Sequence, residues 1–502
     1  MNGSFLETTS DFYTQTCHLK KLLERCVTSD ADWLGRLSED EFVQGVVRAS
    51  HLKRLEERWI ADPHFKTQAA ICLDRALSDY GLTLDFVDRQ YLNPSSANCS
   101  DSLSQTPTAT DFRMLLHQRW CQVNHTVNDL TQPFKAWRER QMARCDGQLK
   151  KYNAEGLIHA PIAFELSQGC SVGCWFCAVS AGRLKDVFRY TKDNSHLWCS
   201  VLEAVKDVIG PAAGSGLCYW ATDPLDNPDY EKLCCDFHSI LGMFPQTTTA
   251  QPLKDPARTR ALLQLSLDKK SPLNRFSILS LKMLDRVHAE FSAEELALVD
   301  FVLQNKEGTG VVKFEAGRVR DRLKLEKVPT NRLTSGTSAC VSGFLINMIE
   351  RRVKLISPCP ASDDWPHGYM IFSEDVFTDG LHLRQVFEHM IADHMSPTLN
   401  ADDQLRFRSD LTYTSLPERH GVRLTSAYQS HTFKGDAALA QLCEMIGGGD
   451  KKANELRFLL EICGIPEVQT SLLLQRLFEQ GLLANSSVNP SKSTSQIKFS
   501  RN

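Results

Sequence analysis

The sequence predicts an α/β chain, a barrel or part of one, with a helical region before it and a small mixed module after it. Three observations predict this. Apolar residues recur with helical spacing through about the first 150 residues. From about residue 157 short strand-like runs alternate with helical ones, the pattern of βα units and a parallel sheet. After about residue 400 a strand-like run is followed by three short helices separated by glycines.

In the first region Leu19, Leu22, Leu23 and Cys26 share one helical face. Ser38 and Glu41 form a capping box ahead of a stripe through Phe42, Val46, Leu52, Leu55 and Trp59. Residues 93–110 are rich in Ser, Thr and Pro and read as a loop. In the second region IAFELS, GLCYWAT, QTTTAQ and RFSILSL are the strand-like runs, with SVLEAVKDVI, a stretch from Asp229 and RTRALLQLSL as the helices between them. In the third, VRLTSAYQSHTF has strand character and helices are expected over Asp436–Ile446, Lys451–Cys463 and Glu467–Gln480, a winged-helix type of module. The tail from Asn485 is polar enough to be disordered. The expected domains are therefore 1–154, 155–399 and 400–484, with 485–502 as tail.

Composition narrows the class. The chain has 502 residues, 42% hydrophobic and 24% charged, which suits several buried cores and excludes wholesale disorder. No apolar run reaches the ~18 residues of a membrane span, and the first residues lack the basic and apolar stretches of a secretory signal. A formal charge of −4 gives no global basic field for nucleic acid or anionic lipid. A peptide or small molecule is the default partner, and the cytoplasm the expected compartment. The 17 cysteines are spread along the chain, which fits a reducing compartment better than a disulfide scaffold.

The sharpest motif is Cys170-Ser-Val-Gly-Cys174-Trp-Phe-Cys177, directly after IAFELSQG. Three thiolates on one short loop suit three irons of a [4Fe–4S] cluster, leaving the fourth iron open. A zinc knuckle would need a second pair of ligands, and no matching CxxC or HxxxH follows. CxxxCxxC after a first barrel strand, with Phe176 before the last Cys, resembles the radical S-adenosylmethionine (SAM) superfamily. The resemblance implies a partial (β/α)6 TIM-type barrel, one [4Fe–4S] cluster on Cys170, Cys174 and Cys177, and SAM chelated at the open iron. It also places Tyr219–Pro228, YWATDPLDNP, where relatives carry a Gly-Gly-Glu-Pro-like segment, making Thr222 and Asp223 candidate SAM contacts; Phe176 and Gln251, in QTTTAQ, are the others.

Together with that segment and the C-terminal module, residues 334–378 resemble the radical SAM peptide epimerases that mature proteusin-type ribosomal peptides. This implies an isomerase that inverts L- to D-residues of a precursor peptide: a Cα hydrogen is removed and hydrogen is returned from the other face by a Cys thiol. Two thiols qualify. Cys359 lies between prolines in Ser357-Pro358-Cys359-Pro360, a rigid loop, and is preferred; Cys340 is the alternative. Asp363, Asp364, Trp365 and His367 follow on the same loop. No close group of cysteines beyond residue 235 suggests an auxiliary cluster. Carbon–carbon or thioether crosslinking is the other enzymatic reading, and a peptide-binding iron–sulfur scaffold or sensor the non-enzymatic one. The C-terminal module resembles the leader-reading elements of such enzymes; its third helix, with one Arg, is poorly suited to a DNA groove. The implied partners are a precursor peptide with its leader and an electron donor such as flavodoxin or ferredoxin, with neither nucleic acid nor membrane.

Overall fold

In a computed structural model of the chain, the described residues are 20, 34–80, 111–112, 130–269, 274–308, 313–325, 333–416, 418, 421–434, 437–449 and 451–484. The stripe through Leu19–Cys26, the polar stretch 93–110 and the tail from Asn485 lie outside them. The chain forms two compact units: residues 1–126, 223–225 and 243–311 in one, and 127–222, 226–242 and 312–502 in the other. This division runs across the sequence segments. The helix Gln132–Gln148 belongs to the second unit, while strands from the middle of the chain belong to the first.

The first unit begins with the helix Glu39–Ala61. Its capping box is formed: the Glu41 N–H donates to Ser38 Oγ at 3.2 Å and the Ser38 N–H to Glu41 Oε2 at 2.7 Å. Phe42, Val46, Leu52 and Leu55 are buried and Trp59 half-buried, as the stripe predicts. Asp62 ends this helix and caps the next, Pro63–Ile71, by accepting from the His64 and Phe65 N–H groups. A parallel sheet of Thr248–Thr249, Asn274–Ile278 and Val299–Leu303 packs Phe276, Ile278 and Val299 with Leu284 and Val287 of the helix Leu281–Glu290.

The second unit is built on a four-stranded mixed sheet, in the order Ala160–Glu165, Val341–Asn347, Arg352–Pro358, Tyr369–Val376. The first pair is parallel and the other two antiparallel. Leu217 lies parallel to the free edge of the first strand: Phe164 N–H donates to its carbonyl at 2.7 Å and its own N–H donates to Ile162. Beyond that bridge, the run GLCYWAT adds one further main-chain bond to this strand, from the Trp220 N–H to the Phe164 carbonyl at 3.1 Å. Side chains alternate across a strand. On one face Phe344 meets Phe134 of the helix Gln132–Gln148 and Phe387 of the helix Gly380–His394, while Phe164 meets Trp198 of the helix Lys192–Ile209 and Phe237 of the helix Tyr230–Leu241. On the other face Ala163, Val341, Leu345 and Ile356 form a separate apolar group with Leu217 and Trp220.

The architecture is mixed α/β: among the described residues the strands form six separate sheets and none closes into a barrel. The strands expected to lie side by side are divided between the units, and two of the three pairings in the larger sheet are antiparallel.

Residues 400–484 form a small module within the second unit. An antiparallel sheet of Thr412–Leu416, Gly421–Thr425 and Ser430–Phe433 precedes helices Ala437–Gly447, Ala453–Ile462 and Glu467–Glu479, around Leu424, Leu439, Leu456, Leu474 and Leu477. The run read as one strand, VRLTSAYQSHTF, folds as a hairpin because Ser426 turns the chain: its Oγ accepts the Gln429 N–H at 3.1 Å. Buried arginines moor this module to Gln132–Gln148. Arg144 donates to the Leu483 carbonyl at 3.0 Å and the Arg140 guanidinium lies 4.0 Å from the Phe478 ring centre, while Arg408, within the module, donates to the Gly481 carbonyl at 2.9 Å. Gly481 has φ +63°, and a Cβ there would stand 2.8 Å from the Arg140 carbonyl oxygen, so the approach requires glycine.

Candidate metal centre

The three-cysteine loop leaves the sheet at the end of its first strand. Ser167–Gln168 pairs with Asp186–Val187, so the chain between them is a closed excursion. Inside it Cys170 N–H donates to the Gly182 carbonyl at 3.0 Å, Cys177 N–H to that of Cys174 at 3.3 Å, and Ala181 N–H to Cys177 Sγ at 3.4 Å. Gly169, at φ +91°, lets the loop close: a Cβ there would lie 2.2 Å from the Arg183 oxygen.

Cys170, Cys174 and Cys177 are all half-buried. Burial first, then the charges of Cys170 and Cys177, push the Cys174 thiol up to about 11, while Arg318 pulls it down. Cys174 therefore feels both neighbouring thiols. Among the described residues no three His, Cys, Asp or Glu side chains are drawn together as a closed metal-binding group, so the thiols share a loop without converging. Half-buried thiols on one short loop, with a backbone N–H already aimed at one sulfur, would suit an iron–sulfur cluster; among the described residues no fourth ligand completes a tetrahedral zinc site.

Two brackets hold this loop, and neither was apparent from the sequence. The first is the turn after Pro224. Asp226, buried, accepts the Ser171 N–H at 2.8 Å and the Ser171 hydroxyl at 2.6 Å. Asn227 Nδ2 donates to the Leu166 and Phe188 carbonyls, and Asp229 accepts the Tyr190 N–H and the Arg189 Nε–H. The acids and amide of DPLDNPD thus tie both flanks of the loop.

The second bracket is the segment around the helix Arg318–Leu325. Arg318 donates from its guanidinium to the carbonyls of Cys174, at 2.7 Å, and Ala181, and from its backbone N–H to that of Cys177 at 3.0 Å. Lys313, buried, holds its ammonium 4.2 Å from the Phe176 ring centre. Burial lowers it to about 8 while Cys174 pulls it up, so it stays charged at neutral pH. Arg322 lies 6.0 Å over Trp175.

The remaining candidates fall as follows. Phe176 and Thr222 are half-buried in the second unit; Asp223, buried, and Gln251, half-buried, belong to the first. Asp223 accepts the Leu225 N–H, the Thr249 hydroxyl and, at 2.7 Å, the Ala250 N–H, so its carboxylate staples a turn to a strand end. Cys359 is only 4% exposed. It lies on the helix-covered face, where burial and then Cys145 push its thiol well above the usual thiol range; Arg144 opposes them. Cys340 is half-buried and packs on the other face, in the apolar group that includes Val179 of the cysteine loop, Tyr219 and Ala221. Asp363 pairs with Arg320 at 2.7 Å; burial lowers the His367 imidazole.

Glu165 ends the first strand, its carboxyl taking the Asn347 amide at 2.6 Å. Burial raises it to about 7 against the pull of Asn347 and Lys354. A raised carboxyl means the folded chain holds more protons than the unfolded one between about pH 4.5 and 7. Stability should therefore fall as pH rises through that window, by about 2 kcal/mol after allowance for partial exposure. Glu165→Gln is expected to flatten that slope, seen in urea midpoints at about pH 5 and about pH 7.5; an unchanged slope refutes the assignment.

The fold and this loop define a mixed α/β protein with a bracketed three-thiol loop. No protein-family profile matches the chain. It is 37% identical over 453 residues to the uncharacterized protein y4wI of Sinorhizobium fredii (strain NBRC 101917 / NGR234), covering 86% of this chain and 87% of that protein. The chain belongs to the y4wI family. Among solved structures it is similar to BtrN in complex with AdoMet and 2-DOIA, at 13% identity and a TM-score of 0.29, over 47% of this chain and 84% of that one. A likeness at that score carries no argument here. Among the described residues no helix is long and apolar enough to cross a membrane.

Proposed function

We propose that this chain is a radical SAM enzyme, and within that class a peptide epimerase that inverts residues of a ribosomally made precursor. The observation that carries the class is the CxxxCxxC loop with its three half-buried thiols and the hydrogen bond to Cys177 Sγ. Cys170, Cys174 and Cys177 would hold one [4Fe–4S] cluster. With SAM bound, such a cluster, reduced by a donor such as flavodoxin or ferredoxin, supplies an adenosyl species able to take hydrogen from a substrate carbon.

What epimerisation asks of the chain's own residues is a thiol within reach of the peptide. Packing favours Cys340 over Cys359, a reversal of the sequence-based preference. Cys359 is 4% exposed among buried groups on the helix-covered face, whereas Cys340 shares its apolar group with Val179 of the cysteine loop. The module 400–484 suits a leader: its sheet has open edges at Thr412–Leu416 and Ser430–Phe433, and a peptide strand adds at such an edge. The winged-helix description and the partial TIM-type barrel belong to this reading.

The test is reaction of the iron-reconstituted chain with a candidate precursor in deuterated water. Epimerisation predicts a gain of one mass unit per modified residue and D-amino acids after hydrolysis. An unlabelled product, or one lighter by two hydrogens as crosslinking gives, overturns it. Cys340→Ala should stop deuterium uptake while SAM cleavage persists, and Cys359→Ala should not.

A further inference from the structure

Three cations of one short segment converge on the eight-residue cysteine loop, each on a different feature: Lys313 on the Phe176 ring, Arg318 on two carbonyls and Arg322 on the Trp175 ring. We propose that Lys313 and Arg318 are positioning residues for this loop, Arg318 fixing its shape and Lys313 setting the reduction potential of the group it carries. The inference rests on the radical SAM reading and deepens it.

The physical argument has two parts. A loop that binds iron through three thiolates concentrates negative charge, and reduction adds one electron more. A buried positive charge is screened far less than an exposed one, so it stabilises the reduced state preferentially. Net charge and hydrogen bonding around the sulfurs are recognised determinants of such potentials. Lys313 is the buried cation here, 8% exposed and close enough to Cys174 to interact with its charge.

Arg318 acts differently. Its planar fork spans the carbonyls of Cys174 and Ala181, on either side of Cys177, while its backbone N–H takes the Cys177 carbonyl. A point-charge ammonium cannot reproduce that fork. The preceding Gly317, at φ +52°, permits the contact: a Cβ there would lie 2.2 Å from the Ala178 oxygen. The loop and the clasp are thus fitted backbone to backbone.

The experiment uses the full chain, loaded anaerobically with ferrous iron and sulfide, then titrated with dithionite and redox mediators under electron paramagnetic resonance. Lys313→Met should take up iron within about twofold of wild type, yet show the reduced-to-oxidised ratio at the wild-type midpoint lowered about tenfold, equal to 59 mV for one electron. Lys313→Arg should restore the potential; Lys313→Gln, neutral and polar, should shift it as Met does and serves if the Met variant does not fold. Arg318→Gln should lower iron uptake and alter the spectrum, with no rescue by Arg318→Lys. An unchanged potential in both neutral Lys313 variants, or full rescue by Arg318→Lys, overturns the inference alone. A wild-type chain that takes up no iron overturns the radical SAM reading and this inference with it.

Discussion

Alanine at any one of Cys170, Cys174 or Cys177 is expected to cut iron and sulfide uptake about tenfold or more, because each thiolate would be one of three protein bonds to the proposed cluster. The substitutions should leave the fold intact. The thiols are half-buried, and the loop is held by backbone and side-chain bonds from Asp226, Asn227 and Arg318 that the sulfurs do not make. Cys463, exposed on the C-terminal module, is the matched control: Cys463→Ala should bind iron as wild type does. Equal uptake by all four variants would remove the basis of the proposed function.

Phe344→Ala is expected to be the most damaging single change in the second unit, costing about 3–5 kcal/mol. The ring is fully buried in the second strand of the sheet, 4.2 Å from the Phe387 ring and 5.7 Å from that of Phe134. Its loss would open a cavity between two helices and the sheet that rigid aromatic neighbours cannot collapse to fill. Urea unfolding followed by circular dichroism reads this as a lowered midpoint; a fall below about 1 kcal/mol would mean that the helices repack over the gap.

What was legible in the sequence was local. The capping box at Ser38 and Glu41, the C-terminal helices and the cysteine motif each lie within a few turns of chain, where spacing alone carries the signal. What was not legible depends on partners far apart. Ser171 finds Asp226 across 55 residues and Arg318 reaches Cys174 across 144. The first strand pairs with one about 180 residues later, and no periodicity announces that choice. The DPLDNPD turn was read for one acid, Asp223, whereas its neighbours Asp226, Asn227 and Asp229 are the residues that hold the cysteine loop. The surroundings of Cys340 and Cys359 were equally hidden, because each thiol lies just outside a strand and its neighbours come from distant segments: Val179 and Tyr219 for Cys340, Cys145 for Cys359.

The arginines that moor residues 400–484 have a bearing on length. Arg140 and Arg144 of the helix Gln132–Gln148 are buried against the Phe478 ring and the Leu483 carbonyl, contacts that a hinge would have to break together. The module is therefore a fixed mount and not a swinging arm. If the proposed leader binds there, it would be measured out like thread from a clamped spool, and the residue presented to the cysteine loop would be set by how many precede it.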